Sequence, residues 1–290
     1  MRIVREIAGL IALGLLVSAC TLTEDRQPVS EPDEGRVIEL DDYLGVLQVA
    51  DVELGGNTLP FLFDTAGGAT LLTPAVANAI GCEPFGRVTG FRHDGTRIDV
   101  PRCGKVDLHM GGLPLQAEAG IFDLMALMPE GAPRLGGIVS LQTLGARAWT
   151  LDMQGRMLVL ETPASLAQRI RGMREIQVRT ATQGGGAGLD LFLKVEAPQG
   201  DLWLEIDSGK AVGLILSPHA LAQLGLEAPQ DTGTKVPVTL DISGFGRYTA
   251  PAIIKDTIYD GLLDAGFLKA HRLTVDPASG RAWLQSTAAP

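Results

Sequence analysis

The chain has 290 residues, 46% of them hydrophobic and 20% charged, which excludes wholesale disorder and allows one large domain or two lobes. A formal net charge of −10, with no cluster of Lys or Arg, excludes a nucleic-acid partner, because phosphate binding needs gathered cations. Thirty-six glycines beside few aromatic residues point to many turns, and so to a mainly β fold with short helices.

In chain order, residues 1–20 read as a targeting segment: Arg2 and Arg5, then the apolar run "IAGLIALGLLV", too short to span a bilayer comfortably, then "LVSAC". Small residues leading into Cys20 resemble the lipobox of bacterial lipoproteins, whose cysteine is lipidated and becomes the new N-terminus. An ordinary signal cleaved near Ala19, or an uncleaved anchor, stays open. The resemblance implies a membrane partner through a lipid on Cys20 and a place in the bacterial cell envelope, facing the periplasm; Thr21 after the cysteine implies the outer membrane. Residues 21–35 are polar, acidic and proline-containing and read as a flexible tether.

Residues 36–163 read as a first lobe. "YLGVLQVADVEL" alternates as a strand, "GGN" at 55–57 reads as a hairpin turn, and "PFLFDTAGG" ends an apolar strand in Asp64. Helical patterns follow at 74–80 and 141–146. Cys82 and Cys103 are 21 residues apart and would form a disulfide in an oxidising compartment; two separate buried thiols are the alternative. "VTGFRHDGTRI" (88–98) reads as a hairpin over a cleft, with Phe91 as a cleft-lining candidate. Residues 164–188 read as an inter-lobe linker, with a helix at 164–172, a bridging strand in "REIQVRTA" and a flexible join in "QGGGAG". Residues 189–287 read as a second lobe. It has "LWLEIDSGK", helices at 218–224 and 264–270, and "LDISGFGRY" as the counterpart of the first hairpin, with Phe245 as its cleft candidate. "DTG" at 231–233 reads as a surface turn, since no apolar strand delivers its acid.

The lobes repeat one another. "FLFDTAGGATLLTPAVANAIGCEP" (61–84) aligns with "WLEIDSGKAVGLILSPHALAQLGLEAP" (203–229): strand, acid, hydroxyl, small residues, apolar run, Thr73-Pro74 or Ser217-Pro218, short helix, glycine. Gly137 lies 15 residues before Asp152, and Gly261 lies 15 before Asp276. Four features in one order at nearly equal offsets indicate a duplication.

An apolar strand ending in Asp-Thr/Ser-Gly, followed by a short helix and a glycine-containing apolar strand, resembles the aspartic peptidases. Each half is similar to the retropepsin-like unit, and the pair to the pepsin-like tandem form, over about 220 residues. The resemblance implies two acid-protease-like β-barrel lobes around an inter-lobe cleft, with catalytic Asp64 and Asp207. It implies supporting loops at Thr65, Ala66, Gly67, Ser208 and Gly209, no metal or cofactor, and a monomer acting on a peptide or protein substrate. The expected activity is a lipid-anchored envelope aspartic endopeptidase; the alternative is a catalytically inactive peptide-binding lipoprotein of the same fold.

The chemistry has its own logic. Two adjacent carboxylates share one proton, because both cannot ionise cheaply. One takes a proton from water and the other donates to the peptide carbonyl. Ala66 stands where the family has glycine, and Lys210 where it has a small or hydroxyl residue. His93, His109, His219 and His271 form no pattern with a nucleophile, and no GxSxG, HExxH or P-loop sequence occurs.

Overall fold

A computed structural model describes residues 35–211, 213–227, 229 and 234–287. The expected signal segment, Cys20, nearly all of the 21–35 tether and the Asp-Thr-Gly stretch at 231–233 lie outside the described residues. The fold is mainly β, built as two lobes with a few short helices.

The first lobe is an eight-stranded sheet in the order Asp41–Tyr43, Leu47–Leu54, Asn57–Asp64, Gly137–Ser140, Thr70–Leu72, Leu113–Ile121, Arg97–Met110, Phe85–Phe91. Leu47–Leu54 pairs a second time, with Arg97–Met110, and so closes the sheet on itself. The second lobe has seven strands: Val178–Gln183, Gly188–Glu196, Leu202–Ile206, Gly261–Leu263, Leu214–Leu216, Gly246–Ile254, Lys235–Ile242. It closes the same way, Gly188–Glu196 against Lys235–Ile242. The correspondence extends to direction. Asn57–Asp64 runs parallel to Gly137–Ser140, and Leu202–Ile206 runs parallel to Gly261–Leu263. The sequence repeat is therefore a repeat of topology.

Local chemistry explains the shared elements. Gly55 and Gly56, both at positive φ, turn the chain between Leu47–Leu54 and Asn57–Asp64, as two-residue hairpins require. Short helices Pro74–Ala79 and Pro218–Gln223 begin with proline, whose missing N–H costs nothing there. Ser217 caps the second, its hydroxyl accepting from the Ala220 amide at 3.0 Å; Thr73 makes no side-chain cap. Cys82, just past the first helix, is bonded to Cys103 in the long strand Arg97–Met110.

A third, six-stranded sheet joins the lobes and was not foreseen. Its order is Arg36–Glu39, Met157–Leu160, Trp149–Asp152, His271–Asp276, Arg281–Ser286, Arg174–Ile176. The two lobes meet where Trp149–Asp152 pairs with His271–Asp276. Buried Asp152 holds Arg272 in an ion pair there, and Thr150 and Thr274 share a hydroxyl bond of 2.8 Å.

Segment 164–188 contains the expected helix and strand, and only "QGGGAG" differs from the expected flexible join, forming a 3-10 turn at Gly184–Gly186 between two strands. The segment holds the end of a capped helix, Pro163–Arg169, then Arg174–Ile176 in the joining sheet and Val178–Gln183 in the second lobe's sheet. Val178–Gln183 is an edge strand with exposed polar side chains, so it lacks the apolar alternation that marks a strand in sequence.

Gly137 and Gly261 fix the register of the central strands. A Cβ on Gly137 would lie 1.9 Å from the Leu71 carbonyl oxygen, and one on Gly261 would lie 2.2 Å from that of Ile215. Gly137→Ala and Gly261→Ala should each cost about 3 kcal/mol in urea unfolding, through forced backbone displacement. Gly90→Ala, where nothing lies within 4 Å, should change stability by less than about 0.5 kcal/mol.

Candidate functional site

Strand Asn57–Asp64 alternates Phe61 and Phe63 into the core with Leu62 on the other face, and ends at Asp64. Strand Leu202–Ile206 alternates Leu202, Leu204 and Ile206 inward and delivers Asp207 one residue past its end. The Asp207 amide donates to the Leu263 carbonyl at 2.8 Å, extending the parallel pairing. Each acid thus terminates a central strand, and the two strands bring them together at the lobe interface.

The loops after the acids are locked by a reciprocal exchange. Thr65 Oγ1 donates to the Ile206 carbonyl at 2.6 Å and accepts from the Ser208 amide at 3.0 Å. Ser208 Oγ donates to the Phe63 carbonyl at 2.8 Å and accepts from the Thr65 amide at 3.0 Å. Both hydroxyl residues are buried. Every buried group in this set is paired, so removing one hydroxyl strands two backbone groups of the opposite loop.

Burial raises the pKa of Asp64, and the amides of Ala66, Gly209 and Gly67 oppose it by stabilising the anion; Ala66 donates to Oδ1 at 2.9 Å. Burial raises Asp207 well above the usual range, and the negative charge of Asp64 adds to this. More amides stabilise the charge of Asp64 than that of Asp207, and with both acids raised the pair favours holding one proton between them.

The two positions that break the repeat have clear placements. Ala66 is outside the positive-φ region, so its methyl imposes no backbone strain. Gly209 is the tighter position: a Cβ there would sit 2.3 Å from Asp64 Oδ2. Gly67 packs against Asp64 and Ile138. Lys210 turns into the cleft, with Nζ 3.2 and 2.9 Å from the two ring nitrogens of His93. Burial, then Lys210 and Lys255, push the His93 pKa down to about 4, so the imidazole stays neutral and accepts from the ammonium. Lys210 pulls Asp207 and Asp64 downward without reversing their upward shift.

His93 belongs to the turn between strands Phe85–Phe91 and Arg97–Met110, the hairpin expected over the cleft. Its tip reaches the second lobe: the Ile258 amide donates to the His93 carbonyl at 3.0 Å, and Lys255 pairs with Asp94 at 3.4 Å. Beneath it lies a cavity of about 420 Å³ reaching Asp64 and Asp207, with Phe91 on its wall. Phe245 does not line this cavity, correcting the sequence expectation. It packs edge-on to His271 at 5.3 Å, and its hairpin turns away onto the joining sheet, where a Cβ on Gly244 would lie 2.2 Å from the Glu175 carbonyl.

Sequence reasoning missed Glu205, Asp190, Gln183 and Tyr259. Glu205 is 4% exposed on the cleft face of its strand, two residues before Asp207, and burial followed by the charges of Asp207, Asp190 and Asp64 raises its pKa well above normal. Asp190 is 1% exposed; burial, opposed by its hydrogen bond from Gln183, sets its pKa at about 6. An acid inside the apolar run "LWLEI" was the available signal. Among the described residues no group of three or more His, Cys, Asp or Glu is arranged to hold a metal, and no helix is long and apolar enough to cross a membrane.

No family model matches the chain, and no curated protein matches it. Among solved structures it is similar to basic 7S globulin from soybean, with a TM-score of 0.55, 11% identity, and coverage of 89% of this chain and 96% of that one. That likeness shows the fold alone. The comparisons correct the identification suggested by the sequence: none places the chain among the retropepsin-like or pepsin-like peptidases or shows a lipoprotein signal, and the solved structure named here is a globulin. The repeated segments behind that identification specify a duplicated topology more firmly than descent.

The buried acids set a pH dependence of stability. An acid whose folded pKa exceeds its unfolded value stabilises below the unfolded pKa and loses that contribution as pH rises through the folded one. For Asp190 the window runs from its ordinary value of 3.8 to about 6. Stability should therefore fall between pH 4 and pH 7, and Asp190→Asn should flatten the fall by up to about 3 kcal/mol. Chemical unfolding at several pH values measures it; an unchanged slope in the variant contradicts the assignment.

Proposed function

We propose that the protein is an endopeptidase that hydrolyses peptide bonds with a water activated by Asp64 and Asp207. The observation that carries this reading is the pair of buried carboxylates, locked by the Thr65–Ser208 exchange, at the floor of a covered cleft. Asp64, as the anion, takes a proton from water while the oxygen attacks the peptide carbonyl. Asp207 gives its proton to the carbonyl oxygen, forming a neutral diol. Collapse of the diol returns a proton to Asp207, and the proton held by Asp64 passes to the leaving nitrogen. Bonds and protons balance without a further reagent.

The cleft favours an extended chain, whose side chains would alternate between its walls. The substrate is then a peptide or an unfolded protein segment, handled by a single copy of the chain. The Cys82–Cys103 disulfide supports an oxidising compartment such as the cell envelope. One observation favours a second reading, peptide binding without turnover: the Lys210 ammonium in the cleft favours ionisation of both acids and so weakens the shared proton.

Asp64→Asn and Asp207→Asn should each lower kcat on an unstructured protein by roughly 10³-fold or more. If both retain wild-type cleavage the reading fails, and binding without turnover in the wild type supports the second. Activity should follow a bell-shaped pH profile, because it needs one proton on the pair. Rising acidity protonates Asp64 and removes the base; rising pH strips Asp207 and removes the acid. Since both pKa values are raised, Asp207 the more, the alkaline limb should lie well above the ordinary aspartate value of 3.8. A kcat/KM profile from pH 2 to 9 measures it.

A further inference from the structure

Glu205 is a buried acid that the hydrolytic chemistry does not use. Its side chain faces the cleft, is 4% exposed, and has no hydrogen-bond partner. Asp190, on the adjoining strand Gly188–Glu196, is 1% exposed and leaves Oδ1 without a partner, while Oδ2 accepts from Gln183. Gln183 also contacts the Tyr259 hydroxyl at 3.1 Å, and both line the cleft. Asp190 Oδ1 is a fully buried acceptor without a donor, which is costly and calls for an explanation.

The duplication supplies a contrast. Leu62 stands two residues before Asp64, as Glu205 stands two before Asp207, and both line the same cavity on opposite sides of the pair. The Leu62 side continues into Ile138, Phe122 and Leu124 and is apolar. On the Glu205 side, Tyr259 lines the cleft, and Phe192, outside it, packs edge-on to the Tyr259 ring at 5.0 Å. The Tyr259 ring suits an aliphatic stem, with the Glu205 carboxyl at its end and Asp190 behind it. Lys210, the cation already in the cleft, is engaged by His93. Metal is a poor occupant, because no group of ligands among the described residues has the arrangement to hold one.

We infer that Glu205, backed by Asp190 and flanked by Tyr259, forms a subsite for a basic side chain, arginine or lysine, of a bound peptide, while Leu62 forms an apolar subsite on the other side of the aspartate pair. The inference rests on the proposed peptide hydrolysis for which bond is cut, but on Glu205 alone for which side chain is held. An entering guanidinium or ammonium supplies the missing donors and a compensating charge together. A neutral apolar side chain there would leave the carboxyl unpaired, and such mismatches discriminate strongly.

Cleavage of a randomised peptide library should show Arg and Lys enriched at one position beside the cut bond and apolar residues at the other. Replacing that Arg by norleucine in a single peptide should lower kcat/KM by roughly ten-fold or more. Glu205→Gln should bring the Arg-to-norleucine ratio close to one, and Glu205→Leu, which copies Leu62, should invert it; melting curves at pH 5 establish that the variants are folded. Cleavage with no basic enrichment at any position overturns the subsite and leaves the hydrolysis standing, as does a ratio unchanged in folded Glu205→Gln. If the wild-type chain cuts nothing, the hydrolytic reading fails, and fluorescence polarisation with the same labelled Arg and norleucine peptides decides the subsite alone. Roughly ten-fold tighter binding of the Arg peptide, lost in Glu205→Gln, upholds it; equal binding overturns it.

Discussion

The Thr65–Ser208 exchange is the constraint from which the rest of the site follows. Two acids buried side by side repel one another and lose hydration, so left alone the loops carrying them would separate or admit water. Four hydrogen bonds, each hydroxyl taking an amide and giving to a carbonyl of the other loop, hold them instead. The carbonyls involved belong to Phe63 and Ile206, the residues just before the acids. The lock is therefore applied at the two strand ends themselves, and the rigidity of both sheets reaches the carboxylates without an intervening flexible segment.

That rigidity makes close approach possible and also restricts sequence. Gly209 lies so near Asp64 that no side chain fits, and its amide acts on both acids. Ala66 is tolerated because the corresponding loop of the first lobe takes its close contact one residue later, at Gly67. The pseudo-symmetry thus survives in the hydrogen bonds and fails in the side chains. It fails in the direction that gives the two acids different surroundings, with amides gathered on Asp64 and charge repulsion added to burial at Asp207.

The sequence made the fold class, the duplication and the position of the two acids legible, because each is written in apolar periodicity and turn residues. Short helices fall where Thr73-Pro74 and Ser217-Pro218 place their starts, and Gly55-Gly56 marks its hairpin. Family identity was not legible: an acid, a hydroxyl and a small residue describe a tight turn that a strand end can carry in a protein of any descent. The joining sheet was invisible because its strands are short and come from four separate parts of the chain. Glu205 escaped notice because pattern reading treats an acid in an apolar strand as noise, and Asp190 because its partner Gln183 comes from an edge strand with no apolar alternation. Phe245 was misplaced by symmetry: its hairpin corresponds in topology to the first lobe's, but it packs on Glu175 and Ile176 of the joining sheet.

The unequal hairpins and the unequal loops are one fact seen from two sides. With the second lobe's hairpin turned away, the cleft is covered from the first lobe only, and that hairpin needs a foothold across the gap. His93 and Asp94 provide it by meeting Lys210, Lys255 and the Ile258 amide. Lys210 occupies the position in the second loop where the first has Gly67, which packs closely against Asp64 and Ile138. A lysine that looks like damage to a motif is, in the folded chain, the anchor that a one-sided cover requires; neutral His93 takes its proton donors, and its charge is set partly against the buried acids beneath it. Any account of the cleft's chemistry therefore has to treat the hairpin and the aspartate pair as electrostatically joined through Lys210.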